Sequence, residues 1–347
     1  MNLKPEFFLG ANSETGFVSY FKELQEQESS MQLFILKGGP GSGKSTLMKR
    51  VLKYAEEKGH TLEVIPCASD PHSLDAFIDY TAGFSMMDGT APHTEDPSLP
   101  GARHHILNLG DLWDTRKLSE KADTIENLSK QVSDCHSGAG AYIKSAAALL
   151  KENGRYAKSH ILMKKALSVS EDITRQLKGG KQGKTSKRLL SAVSVGEIKV
   201  LKSALSCFAD KVYVLCDQFG AAADYIMKTV YFSAKLKGEN QIYCPCSISP
   251  GKCDHLIFPD SRIAIVTGND YFDFESKYKE DCFYSPFPLE EDMLRLKDEA
   301  ARLLSLAASL VKKAKDIHDD LEDCYKEAMN FGKTNGLFEG IISEFYS

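Results

Sequence analysis

The chain has 347 residues, 42% apolar and 26% charged; at about 150 residues per domain this length predicts two domains, and the composition excludes wholesale disorder. Forty-three Lys and Arg against 48 Asp and Glu leave a net charge of −5, which argues against a global footprint for DNA or anionic lipid while local basic patches stay open. Nine cysteines, an odd number, an N-terminus without a signal-type apolar run, and no apolar stretch of the roughly 18 residues that span a membrane predict a soluble cytoplasmic protein.

The first predicted elements lie in residues 31–52, MQLFILKGGPGSGKSTLMKRVL. Leu33–Leu36 read as a buried parallel strand, and Leu47, Met48, Val51, Leu52 and Ala55 recur at helical spacing. Between them Gly38, Gly43, Lys44 and Ser45 complete G-x-x-x-x-G-K-[ST]. Glycines let backbone N–H groups wrap a phosphate chain and the helix adds its positive N-terminal end. Lys44 is expected to meet the β- and γ-phosphates and Ser45 to offer its hydroxyl to Mg²⁺. A glycine-rich turn before a helix is the bland alternative.

Such a loop needs an acid at the end of a neighbouring strand, directly or through water on the metal. Asp88, ending Phe84-Ser85-Met86-Met87-Asp88 before Gly89-Thr90, is preferred; Asp70, in Cys67-Ala68-Ser69-Asp70-Pro71, competes, with a cap or turn role the alternative for both. His93 follows closely and reads as a turn histidine or a phosphate or water contact. Next, Ile125, Leu128, Val132, Cys135, Ala139, Tyr142, Ala146 and Leu149 predict a helical arm. Residues 175–188, RQLKGGKQGKTSKR, carry six basic residues, no acid and three glycines, and predict an exposed mobile linker. Its Gly183-Lys184-Thr185 imitates a phosphate-loop ending without the preceding strand, and contact with nucleic acid or an acidic partner is the less favoured use.

Shifting the chain by 179 positions aligns the first motif with a second, ungapped copy having 14 identities in 57 positions, among them Gly41 with Gly220, Pro66 with Pro245, Cys67 with Cys246 and Asp75 with Asp254. This predicts a duplicated α/β unit. Gly43, Lys44, Ser45 and Asp88 become Ala222, Ala223, Asp224 and Thr267, and Asp224 is expected to place repulsive charge beside the phosphates. Cys244, Cys246, Cys253 and His255 raise zinc, but at an unusual spacing, so strand-end thiols are preferred. Finally Met293, Leu296, Ala300, Leu303, Ala307, Leu310, Ala314, Ile317, Leu321, Cys324 and Ala328 predict a second arm. Pairing of the arms about a pseudo-two-fold axis and packing of each on its own domain fit the stripe equally well.

The motifs FFLGANSETGF, FILKGGPGSGKSTLMK, CASDPHSLDAF, MMDGTAPH, DPSLPGA and NLGDLW cover most of residues 7–113, and in them the chain resembles a family of uncharacterised bacterial tandem P-loop ATPases. The resemblance implies ATP binding and hydrolysis and assigns the phosphate loop to Gly38, Gly39, Pro40, Gly41, Ser42, Gly43, Lys44, Ser45 and Thr46. Ala223 and Asp224 depart from an intact tandem pattern.

The expected fold is α/β, with duplicated P-loop NTPase-type parallel-sheet units each followed by long helices. Residues 1–115 form the nucleotide unit, 116–174 a helical arm, 175–188 the linker, 189–285 the degenerate repeat and 286–347 the C-terminal arm. The expected activity is Mg²⁺-dependent ATP hydrolysis, with Lys44 and Asp88 catalytic and Ser45 and Asp88 on the metal, coupled to the arms or to an unidentified protein or small-molecule partner. A P-loop kinase with a small-molecule acceptor and a non-catalytic nucleotide-sensing scaffold are the other readings. No guanine-reading Asn-Lys-x-Asp or Thr-Lys-x-Asp pattern is present, which disfavours GTP.

Overall fold

In the computed structural model, which describes residues 4–26, 30–269 and 274–346, a hairpin of β1 (Gly10–Ser13) and β2 (Gly16–Ser19) leads into the first sheet. The outer ends of the first and last predicted segments, and residues 270–273 of the degenerate repeat, lie outside the described residues. β3 (Gln32–Lys37) is buried along Leu33–Leu36 because both its faces are covered, the condition that produces an unbroken apolar run. α1 (Lys44–Glu57) buries Leu47, Met48, Val51, Leu52 and Ala55, the stripe its spacing predicts. β4 (Leu62–Pro66), β5 (Leu74–Asp79), β6 (Phe84–Asp88) and β7 (His104–Asn108) follow. The strand order is β4-β5-β6-β3-β7. β6, β3 and β7 are parallel, whereas β5 is antiparallel to both β4 and β6, so the expected all-parallel sheet is instead mixed. The connections through residues 67–73 and 80–83 are too short for the dozen or so residues of a crossover, and the chain turns straight back.

After α2 (Thr115–Glu120) come the long α3 (Ala122–Ala157) and α4 (Met163–Gln176). The second half consists of β8 (Thr185–Lys187), a hairpin of β9 (Ser191–Val193) and β10 (Ile198–Val200), and α5 (Ser203–Phe208). β11 (Lys211–Cys216), α6 (Ala221–Leu236), β12 (Gln241–Pro245), β13 (Cys253–Phe258), β14 (Ile263–Gly268) and β15 (Tyr278–Glu280) follow. α7 (Glu290–Lys326) and α8 (Phe331–Phe345) end the chain. The second sheet runs β15-β11-β14-β13-β12-β8. Read from β12 to β15 it has the strand order and polarity of the first sheet, and a register shift falls at Pro245 as one does at Pro66. The molecule is thus mixed α/β, with eight α-helices among the described residues.

The arms pair with each other. α3 and α7 share one buried seam in which Ala139, Ile143, Ala146 and Ala147 meet Ala300, Leu304, Ala307, Ala308 and Val311. Small residues on both helices let the backbones approach closely, and Leu310 Cδ1 lies 2.9 Å from where a Cβ on Gly138 would stand. Each arm then delivers its last helix to the opposite half. α4 packs Ala166, Val169 and Ile173 on α6, and α8 packs Ile341, Phe338 and Phe345 among Phe34, Leu52 and Phe84 of the first unit.

The basic stretch 175–188 does not run as a solvated linker throughout. Gly179 and Gly180 pass against the backbone of Lys237 and Gly238, and Thr185–Lys187 add a parallel strand beside β12. Arg188 is buried, its Nε 2.5 Å from Glu63 of β4 and Nη1 3.0 Å from Glu23. Its charge is usable because burial brings two carboxylates with it; removing either partner of such a buried pair costs about 3–5 kcal/mol. Among the described residues no helix is long and apolar enough to cross a membrane.

Candidate functional site

The loop between β3 and α1 turns with Gly38, Gly41 and Gly43 at φ +145°, +65° and +87°. At Gly41 the glycine is required twice. Its φ lies in the left-handed region, and a Cβ there would sit 2.5 Å from the Glu322 carbonyl oxygen of α7. Lys44, the first residue of α1, is only 8% exposed and folds back over the loop, donating to Gly38 O at 2.8 Å and Gly39 O at 2.9 Å. Ser42 Oγ donates to Gly39 O at 2.8 Å. Ser45, the second residue of α1, accepts the Leu74 amide at 2.9 Å, which ties α1 to the start of β5 while leaving the hydroxyl hydrogen and a lone pair.

β6 lies directly beside β3, with Asp88 paired to Leu36, and this brings the Asp88 carboxylate to 3.6 Å from Lys44 Nζ. Asp88 also accepts from the Thr90 amide and hydroxyl at 2.8 and 2.6 Å. Asp70 faces the arm instead, 3.4 Å from Lys315 of α7, and accepts the His72 amide in a turn. His93 is 7% exposed, packs on Phe17 and Phe21, and places Nε2 3.3 Å from Asp75. Burial disfavours its imidazolium, but the Asp75 carboxylate outweighs this and holds the pKa above the usual value.

These groups line one cavity of about 1320 Å³ with the whole loop from Gly38 to Thr46. Its far wall is the arm pair: Val132 and His136 of α3, Lys315, His318 and Glu322 of α7. Burial lowers the pKa of both histidines, and the charge of His318 adds to the effect at His136. Trp113 and Tyr325 rings cover Gly39, and Phe331 lies over Gly43. Nothing in the sequence pointed to α7 as the roof of a loop some 280 residues upstream. Asp75 was also missed, although its recurrence as Asp254 in the repeat was the available signal.

The second loop differs at two acidic residues. Asp224 stands at the position of Ser45, as the alignment places it. It accepts the Cys253 amide at 3.0 Å, the equivalent of the Ser45–Leu74 bond, and pairs with Lys228 at 2.7 Å. Asp217, which stands where the first copy has Gly38, fills the loop. Its carboxylate accepts the amides of Phe219, Gly220 and Ala223 at 2.9, 2.8 and 2.8 Å and the Tyr284 hydroxyl at 2.7 Å. Tyr284 Oη in turn accepts the Ala222 amide at 2.9 Å. Burial and Asp217 push the phenol pKa up, so it stays a donor. The N–H groups of this loop are thus bonded to the protein's own carboxylate and phenol.

Cys244, Cys253 and His255 are buried strand residues, and with Cys246 they do not gather their ligand atoms into a metal group among the described residues. Burial raises the three thiols and lowers His255 to about 4.

Residues 18–77 match the family model for Nephrocystin 3, N-terminal. The match takes in β3, the glycine loop, α1, β4 and most of β5. No curated protein and no solved structure matches the chain. The likeness to bacterial tandem ATPases therefore stands on the motifs of the sequence alone.

Proposed function

We propose that the first unit binds Mg²⁺-ATP at Gly38–Thr46 and hydrolyses it, and that this chemistry moves the α3–α7 pair. The reading rests on one convergence: Lys44, Ser45 and Asp88 meet the glycine loop at one end of β3 and β6, in a cavity roofed by α7. Lys44 exchanges its two carbonyl partners for phosphate oxygens, and the loop amides at the start of α1 carry the remaining charge. Ser45 and Asp88 supply hard oxygen donors, which fit Mg²⁺; when bound, the ion shares the phosphate charge and orients the terminal phosphoryl group. Because the Glu322 carbonyl rests against Gly41, a change in the loop presses on α7 and travels along its seam with α3.

The matching strand order of the two sheets and the paired bonds of Ser45 and Asp224 support a duplicated P-loop unit whose second copy is structural or regulatory. The odd number of cysteines in a large chain supports a cytoplasmic location.

Calorimetry with Mg²⁺-ATP tests the reading. Lys44→Ala weakens binding by about 1.5–3 kcal/mol through loss of a charge-assisted phosphate contact and nearly abolishes turnover, with the fold retained. Unchanged affinity and hydrolysis in a folded variant reject it. A second reading follows from the cavity, which exceeds the roughly 300–1,000 Å³ of an ordinary ligand site. The space between the glycine loop and the α3–α7 pair leaves room for a phosphoryl acceptor, and ADP release that requires an added acceptor distinguishes a kinase.

A further inference from the structure

Three strand ends of the first sheet converge beside the phosphate loop. Cys67 follows β4, Asp75 is the second residue of β5, and His93 lies in the loop after β6. We propose that Cys67, Asp75 and His93 form a binding site for one zinc-class divalent cation in the wall of the phosphate-loop cavity.

The Cys67 sulfur, an Asp75 oxygen and a His93 nitrogen lie within 4.8 Å of one another. Tetrahedral zinc holds such atoms about 3.3–3.7 Å apart, so the ion needs a closure of about 1 Å. Asp75 and His93 are 5% and 7% exposed, His93 Nε2 faces the Asp75 carboxylate at 3.3 Å, and the buried Nδ1 has no hydrogen-bond partner among the described residues, an unfavourable state for a ring in a polar wall. All three residues line the cavity, so three protein ligands leave the fourth position of the ion open to the space that Lys44 and Asp88 share.

The repeat supplies an independent observation. The aligned Cys246 and Asp254 of the second copy have a cation built in: Lys252 Nζ lies 3.3 Å from the Asp254 carboxylate. The first copy has Ser73 at the position of Lys252. A dication held by thiolate, carboxylate and neutral imidazole gives the first copy the positive charge that the second carries covalently. The mixed sulfur, nitrogen and oxygen donor set selects zinc or cobalt over magnesium, which separates this site from the oxygen pair Ser45 and Asp88. Thiolate ligation expels the thiol proton, so metal uptake tightens with rising pH.

Cobalt(II) titration of the chelator-treated full chain, without nucleotide, tests this. One equivalent binds with a thiolate-to-cobalt charge-transfer band, and zinc displaces it. Cys67→Ser abolishes the band, whereas Cys246→Ser and Lys44→Ala keep it; because the Lys44 variant keeps it, loss of ATP binding and loss of this site are separate results. His93→Ala retains the thiolate band but weakens binding at least about tenfold, a readout that survives if Cys67→Ser does not fold. The absence of a thiolate band in the wild-type chain, or a band that persists in folded Cys67→Ser, overturns the proposal.

Discussion

Asp88 and Asp70 both border the cavity, yet only Asp88 approaches Lys44, at 3.6 Å, while Asp70 is held by Lys315. Asp88→Asn therefore lowers Mg²⁺-dependent turnover by more than tenfold with little change in melting temperature, and Asp70→Asn does less; a larger loss from Asp70→Asn reverses the assignment. His255 gives a pH signature. Burial holds its folded pKa near 4 against about 6.5 in an unfolded chain, so the unfolded state binds the extra proton between those values. Its contribution is complete above pH 6.5 and falls away toward pH 4, by about 3 kcal/mol in all. Melting temperatures across that window follow the loss, and His255→Gln flattens the curve; an unchanged slope contradicts the buried neutral imidazole. At this scale the sequence was most informative where chemistry is local. Gly38 to Ser45 are contiguous, so their pattern reads directly, whereas Asp75 becomes part of the site only through the β4–β5 turn.

The two β-strand-to-α-helix loops show how one element keeps its shape with different chemistry. In the first, Lys44 and Ser42 bond the loop carbonyls of Gly38 and Gly39; in the second, Asp217 and Tyr284 bond the loop amides. Asp217→Ala leaves those buried donors without an acceptor and destabilises the second half by about 3 kcal/mol. Added sulfate or phosphate recovers part of the loss, seen as an anion-dependent rise in melting temperature larger than that of the wild-type chain; equal shifts in both proteins reject the internal-anion reading. The same bonds predict one ATP per wild-type chain by calorimetry. Sequence alignment located the altered loop and the acid at Asp224 but not the role of Asp217. A one-dimensional alignment fixes which residues correspond, not which buried amides a carboxylate meets, and Asp217 meets three.

At the scale of the whole molecule, the halves are laced together by exchange. α8 forms part of the first unit's core, where Phe345 packs on Phe34 and Phe84 and Tyr346 donates to Asp79. Deleting residues 331–347 uncovers the part of the first unit's core around Phe34, Leu52 and Phe84. It lowers the melting temperature and weakens nucleotide binding at a loop far upstream, whereas independent halves would leave the first site intact; limited proteolysis and calorimetry of the truncated chain measure both. The predicted boundaries at 116–174 and 286–347 follow the chain, but packing crosses them, because each arm pairs with the other and hands its final helix across. The sequence by itself determined the strand, loop and helix around Lys44, the two apolar helical stripes and the correspondence of the halves, because each is a local pattern or a fixed offset. Only the tertiary structure decided the reversal of β5, the pairing of α3 with α7, the roof over the glycine loop and the carboxylate that fills its counterpart. Those depend on which apolar faces find each other and which buried donors must be met, and a stripe of alanines is the same stripe whichever partner covers it.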